Sequence, residues 1–133
     1  AFDNTKNKVV WPMHPRTKAR LMDFDLWQKV CDNKNLEILE PLNYTEFLKM
    51  ICKSVMVITD SGGVQEETTF LQVPCITIRE NTERPSTIIF GKNKLCDLDS
   101  ILHEIEKVNQ DEERFIPPLW DGDAAKRIGD ILL

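Results

Sequence analysis

An α/β fold built on a parallel sheet is what this chain predicts, and three observations carry the prediction. Short β-branched apolar runs alternate with amphipathic stretches of about ten residues. Gly, Pro, Asn and Asp punctuate the joints between them. The run from Val55 to Glu67 also takes an apolar strand through Ser61-Gly62-Gly63 directly into a helical pattern. Strands alternating with helices read as βαβ units, which wind right-handed into a parallel sheet.

The elements follow in order. Lys8 to Pro12 reads as the first strand, and Thr17 to Val30 as a helix with Leu21, Phe24 and either Trp27 or Val30 on one face. Leu36 to Leu39 is the second strand, ended by Pro41. Asn43 or Thr45 can cap the next helix, which runs through Lys53 with Phe47, Leu48 and Ile51 at helical spacing. Val55 to Ile58 is the third strand, followed by a helix over Gly63 to Gln72. Pro74 opens a fourth strand, Cys75 to Ile78. Ser86 to Phe90 is a short helix closed by Gly91, and Lys94 to Cys96 a fifth strand. Leu98 to Val108 and Ala124 to Leu133 are the closing helices, separated at Pro117-Pro118.

The bulk of the chain narrows its chemistry. Its 133 residues suffice for one domain with a core. The net charge of −5, with no dense Lys/Arg track, argues against a nucleic-acid partner; the locally basic stretch of Lys6, Lys8, Arg16, Lys18 and Arg20 reads as a solvated helix face. No apolar run approaches the ~20 residues of a membrane helix, and the opening residues carry no signal-peptide pattern. Cys31, Cys52, Cys75 and Cys96 form no CxxC pair, and the last three sit in apolar patterns where cysteine packs as a small hydrophobe. Reduced thiols and a cytoplasmic location follow as expectations. With only His14 and His103 as histidines, no metal is expected, and no cofactor. The chain opens on Ala1 rather than Met, with a strand almost at once, and so is expected to be a piece of a longer polypeptide.

Ligands of parallel sheets gather beyond the carboxyl ends of the strands. Three segments fall there: His14 with Arg16 after the first strand, Ser61-Gly62-Gly63 after the third, and Asn81 to Pro85 after the fourth. The serine–glycine turn aims backbone N–H groups and a helix N-terminus at an anion, with glycines allowing positive φ and close approach. A plain strand-to-helix turn with Ser61 as its cap fits the same spacing. Arg84, stiffened by Pro85, suits bidentate phosphate binding or a surface pairing with Glu80 or Glu83. Glu67, one turn into the helix, can reach a ribose hydroxyl or stand as a surface carboxylate, and Glu66 reads as surface only. Phe47 is core by default, although a ring near a strand end can stack on a nucleobase. His14, in a Pro-flanked loop, can donate to phosphate or move a proton. Neither GxGxxG nor GxxxxGK[ST] occurs, which weakens dehydrogenase and NTPase readings.

Taken together, Pro12-Met13-His14-Pro15-Arg16-Thr17, Pro41 to Phe47, Thr59-Asp60-Ser61-Gly62-Gly63-Val64-Gln65-Glu66-Glu67, Arg79 to Pro85 and Gly91 to Leu95 resemble the C-terminal domain of the non-hydrolysing UDP-N-acetylglucosamine 2-epimerases. The SGGxQEE and TERP blocks are specific, and the resemblance covers nearly the whole chain, with no sharp motif from Asp111 to Leu119. It implies a Rossmann-like domain, a parallel sheet with helices on both faces, over residues 1–133. This would be one half of a two-domain enzyme built like the B-type glycosyltransferases, whose N-terminal domain lies outside this sequence. It implies UDP-sugar in the cleft, uracil on Phe47, ribose on Glu67, diphosphate on Ser61, Gly62, Gly63 and Arg84, and His14 in the reaction, with Arg16 as a further contact. The implied chemistry is anti elimination of UDP to a 2-acetamidoglucal and re-addition with C2 inverted. The full-length enzyme is expected to be a homodimer serving cell-surface polysaccharide biosynthesis, and this half alone to be inactive, because the proton-moving carboxylates belong to the other domain. Gly91-Lys92-Asn93 departs from the commoner Gly-Thr-Asn, and the wording around His14 also fits relatives acting on other UDP-HexNAc sugars. A B-type glycosyltransferase donor domain and a non-enzymatic UDP-sugar-binding module are the rivals; SGGVQEE with TERP fits the former poorly.

Overall fold

The structure is a computed structural model that describes residues 8–108 and 116–132. Ala1, Lys6, Asp111 to Phe115 and Leu133, named above, lie outside the described residues. The chain divides into two compact units, Ala1–Phe47 and Leu48–Leu133.

In the first unit, β1 (Val9–Pro12) pairs in parallel with β2 (Leu36–Leu39), Val9 opposite Leu36 and Pro12 opposite Leu39. The crossover is two helices, α1 (Pro15–Asp23) and α2 (Trp27–Cys31), where periodicity predicts one. The break falls at Phe24–Leu26, with Asp25 at φ 55°. A left-handed residue cannot continue a right-handed helix, and Phe24 becomes a cap, 60 % exposed rather than on the buried face. Lys18 Nζ lies 5.0 Å from the Trp27 ring centroid, joining the two helices by a cation–π contact. Lys8 pairs with Glu37 across the strands.

Helix α3 (Tyr44–Lys53) starts from a reciprocal capping box. Asn43 Oδ1 accepts the Glu46 N–H at 3.0 Å, and Glu46 Oε2 accepts the Asn43 N–H at 3.3 Å. Asn43, not Thr45, is therefore the cap.

The second unit holds β3 (Val57–Thr59), β4 (Cys75–Ile78) and β5 (Asn93–Cys96) in one parallel sheet of that order. Cys75 stands opposite both Val57 and Asn93. Helix α4 (Gly62–Leu71) links β3 to β4, α5 (Pro85–Ile89) links β4 to β5, and α6 (Ile101–Lys107) and α7 (Ala124–Leu132) follow. The parallel α/β character holds, while the hydrogen-bond ladders divide it into a two-stranded and a three-stranded sheet. Ile76, Cys96 and Ile101 form the core cluster, with Met56, Ile58, Ile78, Ile105 and Val108 against it. Burial pushes the Cys75 thiol up, and burial followed by the Asp97 and Glu104 carboxylates does the same to Cys96. Both remain neutral packing groups. Cys52, read as apolar filler, is exposed, since α3 turns Ile51 inward and its neighbour outward.

Gln72 ends α4 at φ 59°, a left-handed cap whose N–H reaches Thr68 O and Thr69 O. Gly91 is required for a different reason. A Cβ there would stand 2.4 Å from Thr87 O and 2.7 Å from Thr69 Oγ1. Its φ is not positive, so close packing, not a left-handed turn, demands glycine.

Candidate functional site

Because β3 and β4 are parallel neighbours in register, the loops that leave them emerge on the same edge of their sheet. The first is the serine–glycine turn. Ser61, at φ −86° and ψ 130°, is the N-cap of α4, yet its side chain makes no cap hydrogen bond. An α-helix leaves its first N–H groups without intrahelical partners, and they carry the positive end of the helix dipole. Gly62 and Gly63 already belong to the helix, and neither uses the positive φ that glycine allows. What glycine supplies is room. A Cβ on Gly62 would meet nothing within 4 Å, and one on Gly63 only Ser61 Oγ at 3.9 Å. An oxyanion can thus reach the main chain without meeting a side chain. Glu67 stands one turn along, half-buried, four positions after Gly63.

The second loop carries Arg84. Its partner is Glu66, not Glu80 or Glu83: Nε lies 3.1 Å from Glu66 Oε1, while Nη1 approaches the Glu83 carbonyl at 3.4 Å. Nε itself is buried and the contact with Glu66 is a charge–charge approach rather than an aligned hydrogen bond. Glu66, read from sequence as a surface carboxylate, thereby ties the arginine loop to the helix of the glycine turn.

Behind both loops lies a polar cluster that no spacing argument singled out. Gln65, Thr77, Thr87 and Asn93 are all buried. Gln65 Oε1 accepts from Thr82 Oγ1 at 2.6 Å and from Asn93 Nδ2 at 3.1 Å. Asn93 Oδ1 accepts from Thr77 Oγ1 at 2.6 Å, and Asn93 Nδ2 also donates to Thr87 Oγ1 at 2.9 Å. The only available signal was that Gln65 and Asn93 are polar residues inside otherwise apolar or motif-dense stretches. Among the described residues, the buried side-chain polar atoms lacking a hydrogen-bond partner are Gln65 Nε2 and Arg84 Nε, both donors. Both atoms are sealed from solvent, so what this edge offers an anion is the uncapped N-terminus of α4, with the Arg84 side chain tied to that helix through Glu66.

In the other unit, His14 and Arg16 are exposed after β1 and are brought together locally. His14 is the N-cap of α1, with Nδ1 accepting the Arg16 N–H at 3.1 Å. That bond occupies the Nδ1 lone pair and leaves Nε2 as the ring nitrogen that carries the proton. Phe47 is half-buried in the first turn of α3, and its N–H is bound by Asn43 O at 2.9 Å. No group of three or more His, Cys, Asp or Glu among the described residues is arranged to hold a metal, and no helix among them is long and apolar enough to cross a membrane.

The family model described as UDP-N-acetylglucosamine 2-epimerase matches residues 1–133. The chain belongs to the UDP-N-acetylglucosamine 2-epimerase family. The family member of that name from Methanocaldococcus jannaschii is 40 % identical over 126 residues, which span 93 % of this chain and 34 % of the relative. Pseudomonas aeruginosa contributes a UDP-2,3-diacetamido-2,3-dideoxy-D-glucuronate 2-epimerase, 32 % identical over 130 residues, covering 93 % of this chain and 34 % of that protein. Among solved structures, the Methanocaldococcus jannaschii UDP-GlcNAc 2-epimerase in complex with UDP-GlcNAc and UDP superposes with a TM-score of 0.81 at 39 % identity, over 94 % of this chain and 35 % of that one. A Neisseria meningitidis UDP-GlcNAc 2-epimerase bound to UDP-GlcNAc superposes at 0.68 with 30 % identity, over 94 % and 36 %. This family member thus spans about a third of the length of the relatives it matches.

Proposed function

We propose that this chain is the nucleotide-binding part of a UDP-N-acetylglucosamine 2-epimerase that interconverts UDP-GlcNAc and UDP-ManNAc, or a closely related UDP-HexNAc pair. Ser61, Gly62 and Gly63 take the diphosphate at the N-terminus of α4, and Arg84 adds a guanidinium to it. Glu67 takes the ribose hydroxyls and Phe47 the uracil. The observation that carries the reading is the open, uncapped N-terminus of α4, tied through Glu66 to an arginine on the neighbouring loop. The bound UDP of the Methanocaldococcus jannaschii relative supports the choice of anion.

In the proposed reaction the bond from the anomeric carbon to the UDP oxygen breaks as the C2 proton leaves. UDP then returns to the glucal while C2 is protonated from the opposite face. The growing charge on departing UDP is met by donors already in place, which is where such a site lowers the barrier. His14, whose Nδ1 is held by the Arg16 N–H, takes part in the reaction as a donor or proton carrier, and Arg16 adds positive charge. The C2 proton needs a positioned acid and base. These belong to a further domain of the same polypeptide, whose homodimeric assembly completes the reading. Four free cysteines, two of them exposed, fit a reducing cytoplasm. No nucleic acid, membrane or cofactor enters the proposal.

The test is an NMR titration of this chain with UDP and with uridine. Shifts at the Gly62 and Gly63 amides with UDP but not uridine, and at Phe47 with both, are expected. Unmoved glycine amides at saturating UDP would overturn the site.

A further inference from the structure

The buried polar cluster behind the two loops is a closed circuit, and it begins and ends on one residue. The Arg84 N–H can only donate, and it donates to Thr82 Oγ1 at 3.0 Å. The Thr82 hydroxyl proton is therefore directed onward, to Gln65 Oε1. On the other side, the Arg84 carbonyl can only accept, and it accepts from Thr87 Oγ1 at 2.7 Å. Thr87 Oγ1, its proton spent, must itself accept, which turns the Asn93 amide nitrogen toward it. The second proton of that nitrogen goes to Gln65 Oε1 and closes the ring. Thr77 locks the orientation by donating to Asn93 Oδ1. Every donor and acceptor direction in the ring follows from the two peptide groups of Arg84; turning either amide over would set donor against donor or acceptor against acceptor.

Proline was expected to stiffen this loop. A residue before proline favours ψ of about +120 to +160°, whereas Arg84 has φ −121° and ψ 59°. The backbone of Arg84 is thus set by its hydrogen bonds rather than by Pro85. Gln65 stands in α4, in the turn that follows Ser61-Gly62-Gly63, and Asn93 opens β5. The ring therefore indexes the arginine loop against the helix of the glycine turn.

We propose that Thr82 is a positioning residue for Arg84, acting with Gln65 and Asn93 to hold the arginine backbone in register with the N-terminus of α4. The proposal rests on the reading of Arg84 as a diphosphate contact. Its physical content is preorganisation: a guanidinium on a fixed backbone loses less freedom when it engages two phosphate oxygens.

Two variants separate positioning from bulk. Thr82→Val keeps the shape and removes the hydroxyl, and Thr82→Ser keeps the hydroxyl. In the unliganded chain, the Arg84 amide should exchange with solvent about tenfold faster in Thr82→Val, the factor that an ordinary net hydrogen bond supplies, and recover in Thr82→Ser. UDP affinity should fall roughly three- to tenfold in Thr82→Val, with uridine affinity unchanged. In an Arg84→Ala background, Thr82→Val should cost nothing further, because its effect runs through Arg84. Additive losses, an equal loss for uridine, failure of serine to rescue, or an unchanged Arg84 exchange rate would each overturn the proposal. If Arg84→Ala leaves UDP affinity untouched, the diphosphate role of Arg84 fails, and the exchange measurement decides the positioning claim without it.

Discussion

Arg84 Nε stands 3.1 Å from Glu66 Oε1, so a loop leaving β4 and a helix leaving β3 share one ion pair. Both side chains are a little under half exposed, 42 % and 44 %. In such surroundings an ion pair is worth less than about 1 kcal/mol. Its value is geometric, since it joins the charge of the loop to the dipole of the helix.

Arg84→Lys should weaken UDP binding by ~1–2 kcal/mol, on the scale of a lost charge-assisted hydrogen bond. Thermal stability should scarcely move, because the pair with Glu66 contributes little. Calorimetric titration with UDP and uridine checks this; equal affinities for the two ligands in the parent chain would show that Arg84 meets no phosphate.

Two glycines should respond in opposite ways. Gly62→Ala adds a Cβ where nothing lies within 4 Å, so melting temperature should hold or rise slightly, alanine being the better helix former. UDP affinity should fall, and Gly62→Val should abolish it with the fold intact. Gly91→Ala drives a Cβ against Thr87 O and Thr69, and overpacking of this kind costs about 1–3 kcal/mol. Thermal melts beside UDP titrations separate the pair.

Acid should loosen the C-terminal part of the second unit. Hydrogen bonds from the Ser100 hydroxyl and backbone hold Asp97 below the usual carboxylate range, and the bond from Arg127 does the same for Asp121. A carboxylate lowered in the folded state stabilises above its unfolded pKa of about 3.9, and that contribution is lost as pH falls through the folded value. The doubly substituted Asp97→Asn, Asp121→Asn chain should therefore show a flatter melting curve against pH below about 4. A parallel acid limb in parent and variant would refute the assignment.

This chain alone should not catalyse epimerisation. Deuterium wash-in at C2 of UDP-N-acetylglucosamine, followed in D₂O, should be absent for the chain and present for a full-length protein. In the latter, His14→Ala should cut kcat by roughly 10²–10⁴-fold, the range for a lost acid–base group, while UDP still binds. Wash-in by the chain itself would relocate the chemistry to this part.

How legible was all this in the residues? Periodicity located β2 and β4 to the residue, since Leu36–Leu39 and Cys75–Ile78 are short, mostly apolar runs opened by Asn35 and Pro74. It missed the break between α1 and α2, where the left-handed residue is Asp25 and neither Gly nor Pro marks the spot. The glycine turn and Arg84 were visible as motifs, but of the two properties glycine offers there, positive φ and close approach, the turn uses only the second. The ring through Gln65 and Asn93 could not be read, because its members lie 28 positions apart and meet only through tertiary packing.

That ring also constrains how such a sequence can drift. Gln65, Thr77, Thr87 and Asn93 are buried, and each satisfies another. A lone change at any of them strands a neighbour's donor or acceptor, at about 1–3 kcal/mol. Each such substitution carries that stability cost whatever its effect on a ligand, and a second change that restores the lost partner should recover much of it. These positions should therefore travel through descent as a linked set, even though none of the four was assigned a ligand contact.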